Sequence, residues 1–283
     1  MSLLLSGPEM KRINLVVKHP SFRAQRVANQ VEDILHSLNI QVNKEKFSKD
    51  DEAIVVVGGD GTLLRVASVA FIAGVPLLGI NAGGLGFLTE IHTDEMQEAL
   101  ESLAKETFHL DQRSVLGIEV TGPKGLENKY IALNEAVITK GALSKIIQIN
   151  TWVNENFLTT YKGDGLIIST ATGSTGYNLS AGGPIVHPSL DVAILTPICP
   201  FALSARPLIL SGQDKMTIKI QEIQEEVCLD IDGQVGMHLE PEHKITLKLE
   251  KEKLKLIRSP HKDYFSILRE KLGWTAAIPP NSR

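Results

Sequence analysis

Cysteine is scarce in this sequence: only Cys199 and Cys228 occur among 283 residues, and no Cys/His group follows metal-ligand spacing. The sequence therefore predicts neither a disulfide framework nor a protein-bound metal, and we expect a reducing, cytoplasmic environment. We interpret both cysteines as small buried apolar residues. The formal net charge is only −4, so no global field favours nucleic acid or an anionic membrane as a partner.

Charged residues are also missing from 66–89, a stretch long enough to cross a membrane. Five glycines, Pro76 and Asn81 interrupt it, and a lipid-exposed helix would leave backbone groups unsatisfied there. We interpret it instead as the end of a helix, a turn at Gly74, a buried strand over 75–80 and a glycine loop. The segment MSLLLSGPEM has no basic region and too short an apolar run to predict a signal peptide.

Strands and helices alternate in the first part of the chain. Residues 12–18 and 53–57 are apolar runs typical of strands, and the second is β-branched throughout its centre, as in a parallel sheet buried on both faces. Helical spacing follows in Val27 to Leu38, and again in Met96, Leu100 and Leu103. We therefore predict an open parallel-sheet α/β domain over 11–108.

The pattern changes after residue 108. Apolar residues alternate with polar ones over 216–220, 227–231 and 245–249, which predicts strands with one buried face. We predict an all-β domain over 109–257, so the fold class is α/β plus all-β. The tail over 258–283 returns to helical spacing through Phe265, Leu268 and Leu272, and we expect it to pack back on the first domain.

The stretch GGDGTLLR at 58–65 follows the strand at 53–57. It lacks the G-x-x-x-x-G-K-[ST] string of a Walker loop, and Leu64 stands where the dinucleotide fingerprint needs its third glycine. A strand, a glycine turn and a helix start remain, which bring N–H groups together where an anion can sit. Asp60 could bind a cation or accept a proton from an attacking hydroxyl, or it could form an Asx turn or cap the helix. The motif alone leaves these alternatives open.

Four further stretches carry polar groups and glycines: NAGGLGFLTEI at 81–91, LNEAV at 133–137, YKGDGLIISTATGSTGYNLSAGG at 161–183 and DIDGQ at 230–234. Paired amide and carboxylate groups suit ribose hydroxyls, because a carboxylate accepts and a sugar hydroxyl donates. Phe87 could lie against a base. The structural alternatives are Phe87 as core, Asn134 and Glu135 as a hairpin end, and 170–183 as a linker.

Taken together, these motifs resemble the NAD kinase family over nearly the whole chain. GGDGT alone is shared with diacylglycerol and sphingosine kinase-like proteins and with phosphofructokinases. GGLGFLTEI, LNEAV, GDGLIISTATGSTGYNLSAGGPI, HPSL, LSARPL, DGQ and HKDYFSILREKLGW follow it in family order. The resemblance implies an α/β domain plus a β-sandwich domain. It also implies transfer of the γ-phosphoryl group of ATP to the 2′-hydroxyl of the adenosine ribose of NAD.

The resemblance implies a role for residues in both domains. Asp60 matches the family's proton acceptor. The expected substrate and ligand contacts are Asp60, Gly61, Phe87, Asn134, Glu135, Lys145, Lys162, Asp164, Thr175, Gly176, Tyr177, Asn178, Leu179, Ser180 and Gln234, with Lys145 and Gln234 on less certain positions. The family loop usually reads TAY where this chain has Thr175-Gly176-Tyr177, and we expect the lost methyl only to loosen the loop. The family often has arginine where this chain has Lys162, and a lysine side chain cannot form the bidentate hydrogen bonds of a guanidinium group.

The mechanism that we expect needs NAD and ATP as substrates and Mg²⁺ or another divalent cation, held largely by the phosphates. Asp60 would lie beside the 2′-hydroxyl as base, metal ligand or orienting group. The resemblance suggests a homodimer or homotetramer, with neither nucleic acid nor membrane as a partner. A lipid kinase built on the same GGDGT turn and a dinucleotide-binding sensor without catalysis are the two alternatives.

Overall fold

The structure is a computed structural model that describes residues 10–141, 145–221 and 226–274. Its strands are β1 (Arg12–Val17), β2 (Gln41–Asn43), β3 (Ala53–Gly58), β4 (Leu77–Asn81), β5 (His109–Arg113), β6 (Leu116–Gly122), β7 (Gly125–Ala132), β8 (Glu135–Lys140), β9 (Ile147–Val153), β10 (Asn156–Gly163), β11 (Gly165–Thr170), β12 (Val192–Ile198), β13 (Leu208–Ser211), β14 (Met216–Ile220), β15 (Val227–Ile231), β16 (Gln234–His238), β17 (Lys244–Leu249) and β18 (Leu254–Arg258). Its helices are α1 (Phe22–Ser37), α2 (Asp60–Ala73), α3 (Met96–Ala104), α4 (Tyr177–Ser180) and α5 (Tyr264–Leu272), with a 3₁₀ turn over Thr172–Thr175.

The chain folds into two compact units. Among the described residues, those within 10–111 and 255–274 form the first unit, and those within 112–254 form the second unit. The helix α5 therefore belongs to the first unit, as does nearly all of β18.

The first unit is built on a sheet with the strand order β2-β1-β3-β4-β18-β5. The pairs β1/β2, β1/β3, β3/β4 and β4/β18 are parallel. Every residue of β3 is buried, because α1 and α3 pack on one face of the sheet and Leu63 of α2 packs near Gly79 on the other. The predicted open parallel sheet is confirmed.

Local chemistry explains where the helices of this unit begin and end. Ser21 accepts a hydrogen bond from the Ala24 N–H at 3.2 Å and caps α1. Gly74 ends α2 with φ of 70°, a left-handed conformation that glycine adopts without steric cost, so the predicted turn is confirmed. In α5 the predicted stripe is wrong at Phe265, which is 56% exposed, because Ile267 and Leu268 form the buried side.

The second unit is a β-sandwich of two antiparallel sheets. Their strand orders are β10-β9-β14-β17-β6-β7 and β13-β12-β11-β8-β15-β16. Alternate residues of both sheets meet in one core that includes Ile118, Ile138, Ile168, Ile218 and Leu247. The alternation predicted over 216–220, 227–231 and 245–249 therefore marks strands whose inner faces form this core.

The uncharged stretch at 66–89 forms the end of α2, the strand β4 and the loop that follows β4. Within the described residues, the helices all fall short of the length or the apolar character that a membrane crossing requires. The predicted helix, turn and strand are thus confirmed.

A buried ion pair attaches β18 to the segment after β4. Arg258 donates to Glu90 through Nε and Nη2, both at 2.9 Å, and the Ser259 N–H donates to the same carboxylate at 2.8 Å. The Glu90 side chain is only 4% exposed, and this bidentate geometry is the strong form of an arginine–carboxylate pair. Glu90 therefore fixes the end of β18, which precedes α5.

We predict that Glu90→Ala destabilises the first unit by roughly 3 kcal/mol, since Arg258 keeps only the longer 3.4 Å contact with Asp111 and the Ser259 N–H loses its acceptor. Hydrogen exchange of the β18 amides measures the effect. Glu101→Ala is the matched control, because the side-chain contacts of Glu101 are exposed: it lies 3.9 Å from the Lys105 ammonium and accepts the Gln97 amide at 3.1 Å. Equal protection of the β18 amides in the two variants would contradict the prediction.

Candidate active site

The turn between β3 and α2 holds the first predicted site residue. Gly59 precedes the helix and Asp60 is its first residue. A Cβ atom on Gly58 would lie 2.7 Å from the Thr62 Oγ1, so only glycine lets the strand end this close to the helix. Asp60 is half-buried and Gly61 is exposed. The turn thus presents Asp60 at the carboxyl end of a central parallel strand, where ligands of such sheets bind.

The Asp60 carboxylate binds a second loop. Oδ2 accepts the Phe87 N–H at 2.8 Å, while Oδ1 accepts the Leu88 N–H at 3.1 Å, the Thr89 N–H at 2.9 Å and the Thr89 hydroxyl at 3.0 Å. These partners are 27 to 29 positions away, so the contacts differ from those of an Asx turn or a local helix cap. Each carboxylate oxygen has two lone pairs, so the three donors at Oδ1 share two lone pairs, whereas the one donor at Oδ2 uses a single lone pair. One position on Oδ2 therefore remains for a ligand.

Glycine and asparagine shape the loop that Asp60 binds. A Cβ atom on Gly86 would lie 2.1 Å from the Asp60 Oδ1, which explains why a residue without a side chain stands there. The buried Asn81 accepts the Gly83 N–H at 2.6 Å and donates to the Gly84 carbonyl at 2.6 Å. Hydrogen bonds from Asn81 therefore fix the first part of the loop, and those to Asp60 fix its last part.

Phe87 is half-buried at the end of this loop. The Lys271 ammonium of α5 lies 5.9 Å from its ring centroid and donates to the Leu85 carbonyl at 2.8 Å. A cation near the ring face favours this ring position. The contact of Phe87 with a nucleotide base stays a prediction.

In the second unit, Asn134 and Glu135 lie at the start of β8 and are held by Asp232. Asp232 Oδ2 accepts the Leu133 N–H at 2.8 Å, and Oδ1 accepts the N–H groups of Asn134 at 2.8 Å and Glu135 at 3.0 Å.

 Asp232 and Gly233 form the hairpin turn between β15 and β16, with φ of 49° at Asp232 and 74° at Gly233. Both are left-handed values, which aspartate and glycine tolerate in such two-residue hairpin turns. The turn therefore points the Asp232 carboxylate at the start of β8.

Two oxygens of this segment have no hydrogen-bond partner within the described residues. They are the Asn134 Oδ1 and the Glu135 Oε2, and both atoms are buried. Buried polar atoms are nearly always hydrogen-bonded in native proteins, so an unsatisfied pair on adjacent residues indicates a place for a polar ligand. This is the observation in the second unit that most strongly indicates a binding site.

The two neighbouring carboxyl groups titrate differently. Burial, and then the charge of Asp232, raise the pKa of Glu135 from 4.5 to about 8. Burial also raises the pKa of Asp232 from 3.8 to about 6, while the three backbone N–H groups act in the opposite direction. Because those N–H groups stabilise the ionised form, we assign the negative charge at neutral pH to Asp232 and the proton to Glu135.

The loop at 172–180 lies against this pair of residues. A Cβ atom on residue 176 would lie 3.1 Å from the Glu135 Oε2. Glycine at this position, in place of the alanine of the usual family loop, therefore leaves space beside the Glu135 carboxyl group. Asn178 is fully buried, donates to the Ser174 and Pro184 carbonyls at 3.0 Å, and accepts the Thr196 hydroxyl at 2.6 Å. Its side chain therefore holds the loop in place.

The other predicted contacts of the second unit lie nearer the surface. Asp164 is half-buried and lies 3.7 Å from the Lys140 ammonium. Thr175 and Leu179 are half-buried. The exposed residues are Lys145, Lys162, Tyr177, Ser180 and Gln234. The structure thus brings Asn134, Glu135 and Gly176 together, and their contacts with a substrate stay predictions.

Asp232 is the residue that the sequence analysis missed. Its signal was present, because an Asp-Gly pair occurs in GGDGT and again in DIDGQ. In both places the aspartate accepts three consecutive backbone N–H groups from a distant segment.

Family models match both units of the chain. The ATP-NAD kinase N-terminal domain matches residues 18–108, and the ATP-NAD kinase C-terminal domain matches residues 133–259. The chain belongs to the NAD kinase family. It is accordingly a phosphotransferase, as the resemblance of its motifs implied.

Individual relatives agree with this family. The NAD kinase of Geotalea daltonii is 44% identical over 239 residues, which cover 84% of each chain. The NAD kinase of Syntrophotalea carbinolica is 42% identical over 285 residues, covering 94% of this chain and 99% of its own.

Two solved structures share the fold. Yeast NADH kinase complexed with NADH has a TM-score of 0.86 at 22% identity, covering 97% of this chain and 90% of that one. An NAD kinase from Archaeoglobus fulgidus in complex with ATP has a TM-score of 0.72 at 27% identity, covering 94% and 100%.

We predict that Gly86→Ala destabilises the protein by about 1–3 kcal/mol and lowers its activity, because the new methyl group would displace the Asp60 carboxylate. Thermal unfolding and phosphotransfer rates measure the two effects. Gly84→Ala is the matched control, since a Cβ atom at Gly84 would meet nothing within 4 Å. Equal behaviour of the two variants would refute the close contact between Gly86 and Asp60.

Proposed function

We propose that this NAD kinase transfers the γ-phosphoryl group of ATP to the 2′-hydroxyl of the adenosine ribose of NAD, forming NADP. Relatives named NAD kinase at 42% and 44% identity support the reaction. The observation in the structure that carries it is the unsatisfied pair of buried oxygens on Asn134 and Glu135. Sugar hydroxyls are donors that would satisfy both atoms.

Asp60 is the proposed contact of the reacting hydroxyl. Three donors occupy its Oδ1, whereas Oδ2 accepts only the Phe87 N–H. A hydroxyl would therefore approach Oδ2, which could orient it and accept its proton as the phosphoryl group is transferred. Gly61 would contribute backbone N–H groups at the start of α2, where phosphate is favoured.

We propose that ATP binds as its Mg²⁺ complex. This ion prefers oxygen ligands and keeps several waters, so it usually binds through one or two carboxylates and the substrate phosphates. Because the hydroxyl is assigned to the free position on the Asp60 Oδ2, the substrate phosphates and water would hold the ion, which would neutralise charge on the phosphates.

The remaining residues of the sequence prediction are proposed contacts of the two substrates. They are Phe87, Lys145, Lys162, Asp164, Thr175, Gly176, Tyr177, Leu179, Ser180 and Gln234, with Asn178 supporting the loop from inside. Both cysteines are free thiols, which is consistent with a cytoplasmic enzyme. A homodimer or homotetramer stays a prediction that sedimentation equilibrium would test.

The direct test incubates the purified protein with NAD, Mg²⁺ and ATP and quantifies NADP. Parallel reactions replace NAD with NADH, ATP with polyphosphate, or NAD with diacylglycerol or sphingosine. NADP formation is the expected result. NAD binding without NADP would favour a sensor, and phosphorylation of the lipid alone would favour a lipid kinase.

We predict that Asp60→Asn lowers kcat by at least about 10²-fold, the lower end of the contribution of a general base. The amide also places an NH₂ group where backbone donors converge, so the loop at 87–89 is disturbed as well. NAD affinity and the thermal midpoint are therefore measured with kcat. A fall in kcat with NAD affinity kept indicates a role at the reacting hydroxyl, whereas turnover near that of the wild type removes Asp60 from the chemistry.

We predict that NAD binding releases a proton at pH 7. Free Glu135 keeps its proton below a pKa of about 8, and sugar hydroxyls that donate to it favour the ionised form. NAD affinity should then rise with pH, by at most about tenfold per unit, and level off above that pKa. Calorimetry in buffers of different ionisation enthalpy measures the proton. Glu135→Gln should abolish the release, and an unchanged release in that variant would contradict the assignment.

A further inference from the structure

A group of three potential metal ligands lies on the hairpin of β15 and β16. Glu226 directly precedes β15 and Cys228 is the second residue of that strand, so with a spacing of two positions their side chains lie on the same face. His238 is the register partner of Cys228 across the antiparallel pair. We call Glu226, Cys228 and His238 the hairpin cluster. Sequence spacing predicted no metal site, because the three residues meet only through strand pairing.

The distances in the hairpin cluster suit a tetrahedral ion. Cys228 Sγ lies 3.4 Å from His238 Nδ1, and that nitrogen lies 3.2 Å from the Glu226 Oε1. The ligand atoms of the cluster all lie within 4.8 Å of one another. Ordinary zinc bond lengths and tetrahedral angles place sulfur and nitrogen about 3.6 Å apart, and nitrogen and oxygen about 3.4 Å apart.

The Nδ1 atom of His238 is shared within the hairpin cluster, in which the Glu226 and His238 side chains are exposed. Both Cys228 and Glu226 approach the same atom, the Nδ1 of His238. One ring nitrogen either carries a proton to donate or has a lone pair to accept, but not both. A cation at the centre would instead receive a lone pair from each of the three residues.

We propose that the hairpin cluster binds one Zn²⁺ ion through Cys228 Sγ, His238 Nδ1 and a Glu226 carboxylate oxygen. A water molecule completes the tetrahedron. Sulfur and imidazole ligands suit Zn²⁺, whereas Mg²⁺ requires oxygen ligands, so this site is separate from the ion that accompanies ATP. When the sulfur–zinc bond forms, the Cys228 thiol loses its proton to solvent.

Zinc would join the two strands of the hairpin near the end opposite its turn. The turn carries Asp232, which holds the backbone of Asn134 and Glu135. Binding of an ion to the folded state alone also stabilises that state by mass action. We therefore expect Zn²⁺ to raise the thermal midpoint of the protein.

Metal binding to the full chain without an affinity tag tests the proposal. After treatment with a chelator, the protein is titrated with Zn²⁺ against a chromophoric chelator and, separately, with Co²⁺ in excess Mg²⁺. We expect one ion per chain and a thiolate-to-cobalt charge-transfer band. Cys228→Ser should remove the band and weaken Zn²⁺ binding at least about tenfold, no less than the loss of an outer-shell partner.

Cys199→Ser is the matched control, because Cys199 is the other free thiol and is exposed. It should keep the band and the affinity. His238→Ala tests the same site without touching a thiol, and circular dichroism checks that each variant is folded. Absence of the band in the wild-type protein, or equal Zn²⁺ affinity in wild type and folded His238→Ala, would overturn the proposal. Both readouts are independent of NADP formation.

Discussion

Each unit contains one aspartate carboxylate that organises its predicted ligand contacts. Asp60 accepts the N–H groups of residues 87–89, and Asp232 accepts those of residues 133–135. In both cases Oδ2 takes the first N–H group and Oδ1 takes the next two. Hydrogen bonds to a charged acceptor are about twice as strong as neutral ones, so each carboxylate fixes the backbone of a segment far away in the chain.

The parts of this structure that follow local rules were predictable. The β-branched run of β3 predicted a buried strand, and the glycine after it predicted the turn that presents Asp60. The repeated Asp-Gly pair marks Asp232 in the sequence, but the segment that Asp232 binds was not predictable, because its partners lie 97 to 99 positions away and no local pattern encodes that pairing. The interpretation of both cysteines as buried was wrong: Cys199 is exposed and Cys228 is only half-buried, since an average tendency of cysteine to be buried does not determine the position of one residue.

Asp232 connects backbone geometry with protonation. It positions the start of β8, and its charge helps to keep a proton on Glu135. The free protein thereby holds a neutral carboxyl group with a buried, unsatisfied oxygen beside Gly176. A ligand that donates hydrogen bonds relieves this unfavourable arrangement, so part of the binding free energy would come from a group left unsatisfied in the free state.

The geometry of Asp60 narrows the roles that sequence left open. Because Oδ1 is occupied by three donors, a proton, a metal ion or a substrate hydroxyl must each approach Oδ2. Only one position remains there, since Oδ2 already accepts the Phe87 N–H. A metal ion bound at that position would exclude a hydroxyl from it. The Asp60 Oδ2 can first orient the hydroxyl and then accept its proton, whereas a metal ion on the same atom would prevent both steps.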